Sequence, residues 1–501
     1  MSLSLLPLLA ASGVASYWPF IVLAASVLFI IIGISVIRWH PFIALILAAI
    51  LAGVLASLVP ESTVGPDGKP VVGSLSDVVG LVTAGLGKTA GGVAISIGLA
   101  SIIGMALMES GAADKVVRRF LGVFGEQRAG LALLLSTYIL SIPIFFDTMF
   151  MLMAPLAKAL RLRTGKDYLL YVLCICCGGV ITHSMTVPHP GPIAMVENLK
   201  IDAGVSIYGG LLGGFLPALA GYVIARWMNR RMTVPLRDTP GAPLADLESI
   251  VDKPEAQLPS FFASMLPIVL PIVLISFSSF LAILAPAGSD PAAVAPSLVG
   301  LLGGTERFQS IRAVIDFIGD KNIALFIGTF LALGVLVRQK GWGKEQLERH
   351  ISPALETAGI IILITSAGGA FGSMIKNAGV GGAVENIASS LGLSLIVVAY
   401  ILTLIIRVAQ GSATVSMLTA SAIVYPMMQG GLPYHPVYIF LAIGFGAFSA
   451  SWMNDSGFWV VSRLSGLTER EMLRSFTIQL TLVSAIGLGV TLLGSWLLPF
   501  A

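Results

Sequence analysis

Charge is what this chain has least of. Asp, Glu, Lys and Arg make up 11% of its 501 residues, against about a quarter in a soluble domain, which excludes a fold faced mainly by water. Cysteine is scarce as well: Cys174, Cys176 and Cys177 all fall in the stretch "YVLCICCGGV". That spacing matches no zinc or dithiol pattern, and the three read as small apolar packing residues. A concentrated basic patch is also missing. The net charge of +3 is dispersed among loops, which excludes nucleic acid as a partner. The opening stretch "MSLSLLPLLAASGVAS" lacks the Lys or Arg of a secretory leader, and the first basic residue is Arg38. It reads as an uncleaved, non-cytoplasmic N-terminus.

What the chain has instead is apolar length. Hydrophobic residues make up 56% of it, in runs such as "WPFIVLAASVLFIIIGISVI", long enough to cross a bilayer core of about 30 Å. Crossings are expected near 17–37, 40–59, 78–110, 205–226, 262–286, 321–338, 354–376 and 476–499. Two further apolar regions, 129–160 and 393–427, have polar interruptions in the middle, and two more, 169–200 and 437–460, carry polar clusters between apolar flanks. Region 129–160 is basic at both ends, with Lys115, Arg118, Arg119 and Arg128 before it and Lys158, Arg161, Arg163 and Lys166 after. Basic residues favour the cytoplasmic side, so this segment enters and returns as a re-entrant hairpin. Region 393–427 has almost no basic flank and is expected to be a hairpin opening to the other side. Regions 169–200 and 437–460 are expected to cross as broken helices. Ten crossings then place both termini outside and put 21 of the 29 Lys and Arg in cytoplasmic segments.

A repeat lies beneath this pattern. At an offset of 268, "TAGGVAISIGLASIIGMALMESG" from Thr89 aligns without gaps to "TAGIIILITSAGGAFGSMIKNAG" from Thr357. Five crossings per half invert one half relative to the other, and inverted repeats with interrupted helices near the midplane are the architecture of secondary transporters. The expected fold is therefore an all-α polytopic membrane protein. Its two inverted halves are 1–226 and 262–501, joined by a cytoplasmic linker at 227–261, with about ten crossings, two opposed re-entrant hairpins and two broken helices.

Four polar interruptions could carry chemistry: "IPIFFDT" (142–148), "THSMTVPHPGP" (182–192), "RVAQGSAT" (407–414) and "SWMNDSGF" (451–458). Non-helical backbone at membrane depth is tolerated only where protein or a water-filled cavity surrounds it, and Pro143, Pro188, Pro190 and Pro192 force it by removing donors. Exposed amides at half-helix starts favour an anion. Asp147 is either a proton or substrate group, as intramembrane ionisable residues usually are, or a cap on the second hairpin limb. Asp455 carries the same two readings. His183 and His189 suit a proton relay or neutral packing, and no third residue stands near them to complete a metal site. Arg407 pairs with an acid or holds a substrate carboxylate. Gly411 serves a tight turn.

These blocks carry a resemblance. "ESGAADKVVRRF", "IPIFFDTMFMLMAPL", "THSMTVPHPGP", "RVAQGSATVSMLTA" and "NDSGFWVVSRLSGLTERE" are similar to the motifs of the gluconate permease family, gluconate:proton symporters of the ion-transporter superfamily, from about residue 20 to the C-terminus and in the family's order. The resemblance implies proton-driven uptake of a sugar acid through the bacterial inner membrane by a transporter rather than an enzyme, with no cofactor. Relatives that take D-serine, idonate, fructuronate or glycerate keep the substrate open. The family's polar motifs fall on Asp147, His183, His189, Gln410, Ser412, Thr414, Asn454, Asp455 and Ser456, and Thr148, Thr186, Gly191, Arg407 and Gly411 stand beside them. Trp452 occupies a position where many members have histidine. The wider superfamily implies a homodimer and an elevator movement. Two rivals share some of these features: a sodium-coupled carboxylate transporter, and a membrane-embedded hydrolase using the histidines.

Overall fold

The structure is a computed structural model that describes residues 14–60, 71–72, 74–239, 257–284, 299, 304–380, 394–429, 431–453 and 455–499. Side chains are not described at a few further positions, Gln410 among them, and Asn454 lies outside the described residues. The architecture is all-helical, with no strand among the described residues. In chain order the helices of the first half are α1 (Val14–Ile31), α2 (Pro41–Ser57), α3 (Leu75–Glu109), α4 (Ala112–Phe124), α5 (Ala129–Leu140), α6 (Phe146–Thr164), α7 (Tyr168–Met185), α8 (Pro190–Leu199) and α9 (Ala203–Arg231). Those that follow are α10 (Phe261–Leu284), α11 (Thr305–Gly319), α12 (Lys321–Lys340), α13 (Lys344–Asn377), α14 (Leu395–Gln410), α15 (Ala413–Met427), α16 (Val437–Phe448), α17 (Ser456–Ser465) and α18 (Glu469–Leu497).

Seven of the expected crossings are long and apolar enough to span a membrane: α3, the run Tyr168–Leu199, α9, α10, α12, α13 and α18. The remaining three, α1, α2 and α16, are shorter apolar helices. Two helices escape a hydropathy reading altogether. In α4 the apolar Ala112, Ala113, Val116 and Val117 are buried while Lys115, Arg118 and Arg119 share the other faces, the pattern of an amphipathic helix rather than a crossing. The similarly mixed α11 precedes α12.

All four interruptions are present, each with a local cause. The helix α5 stops at Leu140, and Pro143 lies in the gap before α6; with no N–H, proline cannot continue the ladder. Pro190 opens α8 at its first position, where its missing donor costs nothing. Gly411 ends α14 at φ 83°, a left-handed value that glycine adopts without strain. Ser412 then accepts from the Val415 amide to cap α15, and Asp455 accepts from the Gly457 amide, at 3.0 Å, to cap α17.

The sequence offset also recurs in the element boundaries. Adding 268 to Leu75–Glu109 gives 343–377, and α13 runs Lys344–Asn377; adding it to Ala203–Arg231 gives 471–499, and α18 runs Glu469–Leu497. The repeat pair α3 and α13 pack on each other. Gly85 lies against Ala370 and Ser373, Gly369 against Thr89, and Gly98 against Leu355. One number rises as the other falls, so the two helices run antiparallel. A Cβ on Gly369 would stand 1.9 Å from Thr89 Oγ1, so only glycine permits this approach.

At the centre stand α7 and α16. Every residue of α7 is buried except His183, and every residue of α16 is buried. Around them the halves differ. In the second half α14 and α15 lie side by side and α15 packs against α13; in the first, α6 packs on α7 and α17 and has no such packing on α5 or α3 among the described residues. After α9, residues 232–239 form a strap that reaches the second half. Arg237 makes a bidentate pair with Glu471 at 2.7 and 2.9 Å and donates to Gly466 O, while Thr239 donates to Leu464 O and receives a hydrogen bond from the buried Lys158 of α6.

The sidedness expected from charge is testable in loops outside the described residues. A cysteine introduced between 242 and 252 should react with an impermeant reagent only from the cytoplasm, and one between 62 and 68 only from outside, because basic residues mark the inner face. Reaction of both from one side would overturn the topology.

Candidate functional site

Four half-helices begin at one place. The first turns of α6, α8, α15 and α17 all line a cavity of about 440 Å³, through Asp147 and Thr148, Pro190, Ser412 to Val415, and Asp455 to Gly457 respectively. A helix start presents unpaired amides and about half a positive charge. Four such starts line this space, although Ser412 and Asp455 already cap the Val415 and Gly457 amides and α8 opens on Pro190, which has no N–H.

The charged residues in it have unequal roles. Arg407, in the last turn of α14, is 3% exposed and donates to Asp455 Oδ2 at 2.5 Å, to Ser451 Oγ at 2.9 Å and to the Gly411 carbonyl. Asp455 additionally receives the Ser451 hydroxyl and the Gly457 amide. It is thus occupied by a cation, a hydroxyl and a helix cap, and Arg407 takes the pairing role. Asp147 is different. It sits in the first turn of α6, whose cap position is Phe145, is exposed to the cavity, and has no hydrogen bond or ion pair among the described residues. The capping reading of Asp147 has no support in this geometry.

The histidines stand one behind the other. Their ring centroids are 4.4 Å apart. His183 lines the cavity, and its Nδ1 is buried with no partner in the protein. His189 lies deeper, 1% exposed, with Nε2 on the Ser141 carbonyl; a carbonyl only accepts, so Nε2 carries the hydrogen. Among the described residues, further buried polar atoms without a partner stand at these breaks, Ser141 Oγ, Ser184 Oγ, Thr186 Oγ1, Arg407 Nε and Ser449 Oγ, and three more lie within helices, Thr365 Oγ1, Thr419 Oγ1 and Gln479 Oε1.

Of the residues singled out in the sequence, Asp147, Thr148, His183, Arg407, Ser412, Thr414, Asp455 and Ser456 meet around the cavity. His189, Thr186, Gly191 and Gly411 support it from behind. Gly191 lets α8 approach α15, since a Cβ there would meet Met417 Cε at 2.2 Å. The Gln410 side chain and Asn454 lie outside the described residues. Trp452 turns away, donating its indole N–H to Val408 O at 3.2 Å. Ser184, Ser451, Phe145 and Thr357 also line the cavity, and sequence reasoning did not select them. Ser184 and Ser451 lay inside the quoted breaks; Thr357 was signalled only by its place at the head of the repeat.

Comparison with known proteins identifies the family. The profile of the GntP family permeases matches residues 18–497. The chain belongs to the GntP permease family. It is 30% identical over 471 residues to a gluconate permease of Zymomonas mobilis, covering 93% of this chain and 95% of the relative. It is 29% identical over 473 residues to a gluconate permease of Pseudomonas aeruginosa, covering 94% and 96%. Among solved structures, the YdaH transporter of Alcanivorax borkumensis, described as having an unusual topology, superposes with a TM-score of 0.63 over 92% of this chain and 100% of that one. At 13% identity that likeness concerns the fold alone. This GntP permease is a multi-pass membrane protein of a family made of permeases.

Proposed function

We propose that this GntP permease carries gluconate or a related hydroxylated monocarboxylate across the bacterial inner membrane together with at least one proton. The observation that carries the reading is the meeting of four helix starts around one cavity in which Asp455 is neutralised by Arg407, while Asp147 has no ion pair among the described residues. The helix starts attract the substrate carboxylate; an ionised Asp147 competes for them and repels it. Protonating Asp147 removes the conflict, so acid and proton bind best together. Ser412, Thr414 and Ser456 supply hydroxyl partners for a polyol chain. The relatives' names support gluconate, and a D-serine- or glycerate-type substrate fits the same donors.

In proteoliposomes, uptake should rise with an inward proton gradient, collapse with a protonophore and ignore replacement of sodium. Full accumulation in protonophore with a sodium gradient would transfer the coupling to sodium. The halves 1–226 and 262–501, the termini outside, a homodimer and an elevator movement belong to the same proposal.

A further inference from the structure

A second cavity, of about 370 Å³, lies between α3, α13 and the break before α6. It meets the binding cavity at Phe145, Thr148 and Thr357, which line both. Small residues, Ala100, Ser101 and Gly104 on α3 with Ala354 on α13, line it together with the apolar Met105, Met108 and Ile144, and Glu109, Arg349 and His350 also line it. Glu109 closes α3 and the other two lie in the first turns of α13. Both helix ends adjoin the basic segments that mark the cytoplasmic face.

The repeat supplies an internal control. Adding 268 to Ala100 and Gly104 gives Gly368 and Gly372 on α13. There the equivalent cleft is shut: a Cβ on Gly368 would meet Leu418 at 3.0 Å, and one on Gly372 would meet Ala422 Cβ at 2.0 Å. The helix α15 fills that cleft, whereas among the described residues its counterpart α6 does not pack on α3; the break before α6 approaches Gly104 instead, with Pro143 O 3.3 Å from where a Cβ would stand, and the cavity remains beside it. Two equivalent passages, one closed and one open, are what a carrier with access to one side at a time requires.

We propose that the cavity beside α3 is the cytoplasmic passage of the substrate, and that Phe145, Thr148 and Thr357 form its neck onto the binding cavity. The passage suits a small hydroxylated solute. Ser101, Thr148 and Thr357 offer hydroxyls along it, and at the mouth Glu109 stands with Arg349, itself paired with the exposed Glu345. The inference rests on the transporter reading and deepens it.

Sidedness decides it. The native cysteines are buried, so Ser101→Cys and Ala354→Cys can each be followed alone with an impermeant maleimide in inside-out and right-side-out vesicles. Modification from the cytoplasmic side only, with loss of transport and slowing by saturating gluconate, is the expected result. No modification, modification from outside, or modification that leaves transport intact would overturn the passage. A plug, Ala354→Trp, should abolish transport yet retain the thermal stabilisation by gluconate shown by the parent protein; loss of that stabilisation in the folded variant would mean that the cavity is part of the binding site instead. A parent protein that gluconate does not stabilise counts against the substrate reading, while the labelling still decides the passage.

Discussion

Asp147→Asn should leave the permease folded in the membrane but unable to accumulate substrate against a gradient. The substitution keeps the side chain's size and removes its titration. Folding has little at stake, because Asp147 makes no cap and no ion pair, and its charge near the start of α6 contributes only about 0.3–1 kcal/mol through the helix dipole. Transport has much at stake. A permanently neutral residue imitates the protonated carrier, so exchange of labelled for unlabelled substrate between equally loaded compartments should persist and lose its pH dependence, while net uptake driven by a proton gradient disappears. Normal accumulation by the Asn variant at every pH would exclude Asp147 as the proton site. His183 would then be next, since it lines the same cavity and its buried Nδ1 has no partner among the described residues. The groups around that imidazole are His189 behind it and Asp147, Arg407 and Asp455 across the cavity.

Arg407→Ala should produce the other large effect, this time on stability. The guanidinium is 3% exposed and its carboxylate partner 14%, so deleting it leaves Asp455 desolvated and uncompensated, a loss of about 3–5 kcal/mol for a buried pair. The Gly411 carbonyl loses its donor as well. Arg407→Lys should not rescue it, because one ammonium cannot reproduce a planar fork that reaches a carbonyl, a hydroxyl and a carboxylate in different directions. Thermal unfolding in detergent measures the loss. The double variant Arg407→Met, Asp455→Leu should regain much of the stability, as replacing both members of a buried pair often does, and still fail to transport. An Arg407→Ala protein as stable as its parent would show that the pair is solvated and not structural.

The positions of the four breaks were legible because prolines, Gly411 and acidic residues stand out against apolar surroundings, and the physics that makes them costly in lipid also announces them. Crossing lengths were legible for the same reason. The division of labour between the two aspartates was not. Asp147 and Asp455 occupy similar motifs, and only the spatial meeting of α14 with the break before α17 reveals that one is neutralised and the other is not. Thr357 and Ser101 were harder still. Each is an ordinary hydroxyl on a long helix, and its place beside the cavity follows from the antiparallel packing of α3 on α13, residues more than two hundred positions apart in the chain. The amphipathic α4 was hidden because hydropathy averages its two faces to nothing.

The strap at 232–239 bears on what joins the two halves. Arg237 grips Glu471 and Gly466, and Thr239 bridges Leu464 to Lys158, so the last described turn of chain after α9 is already fastened to the second half before the peptide link begins its way there. Continuity of the backbone is thus redundant at this point. A chain cut between 240 and 256 would keep one bidentate ion pair and three hydrogen bonds tying residues 237–239 to Lys158 and to residues 464–471.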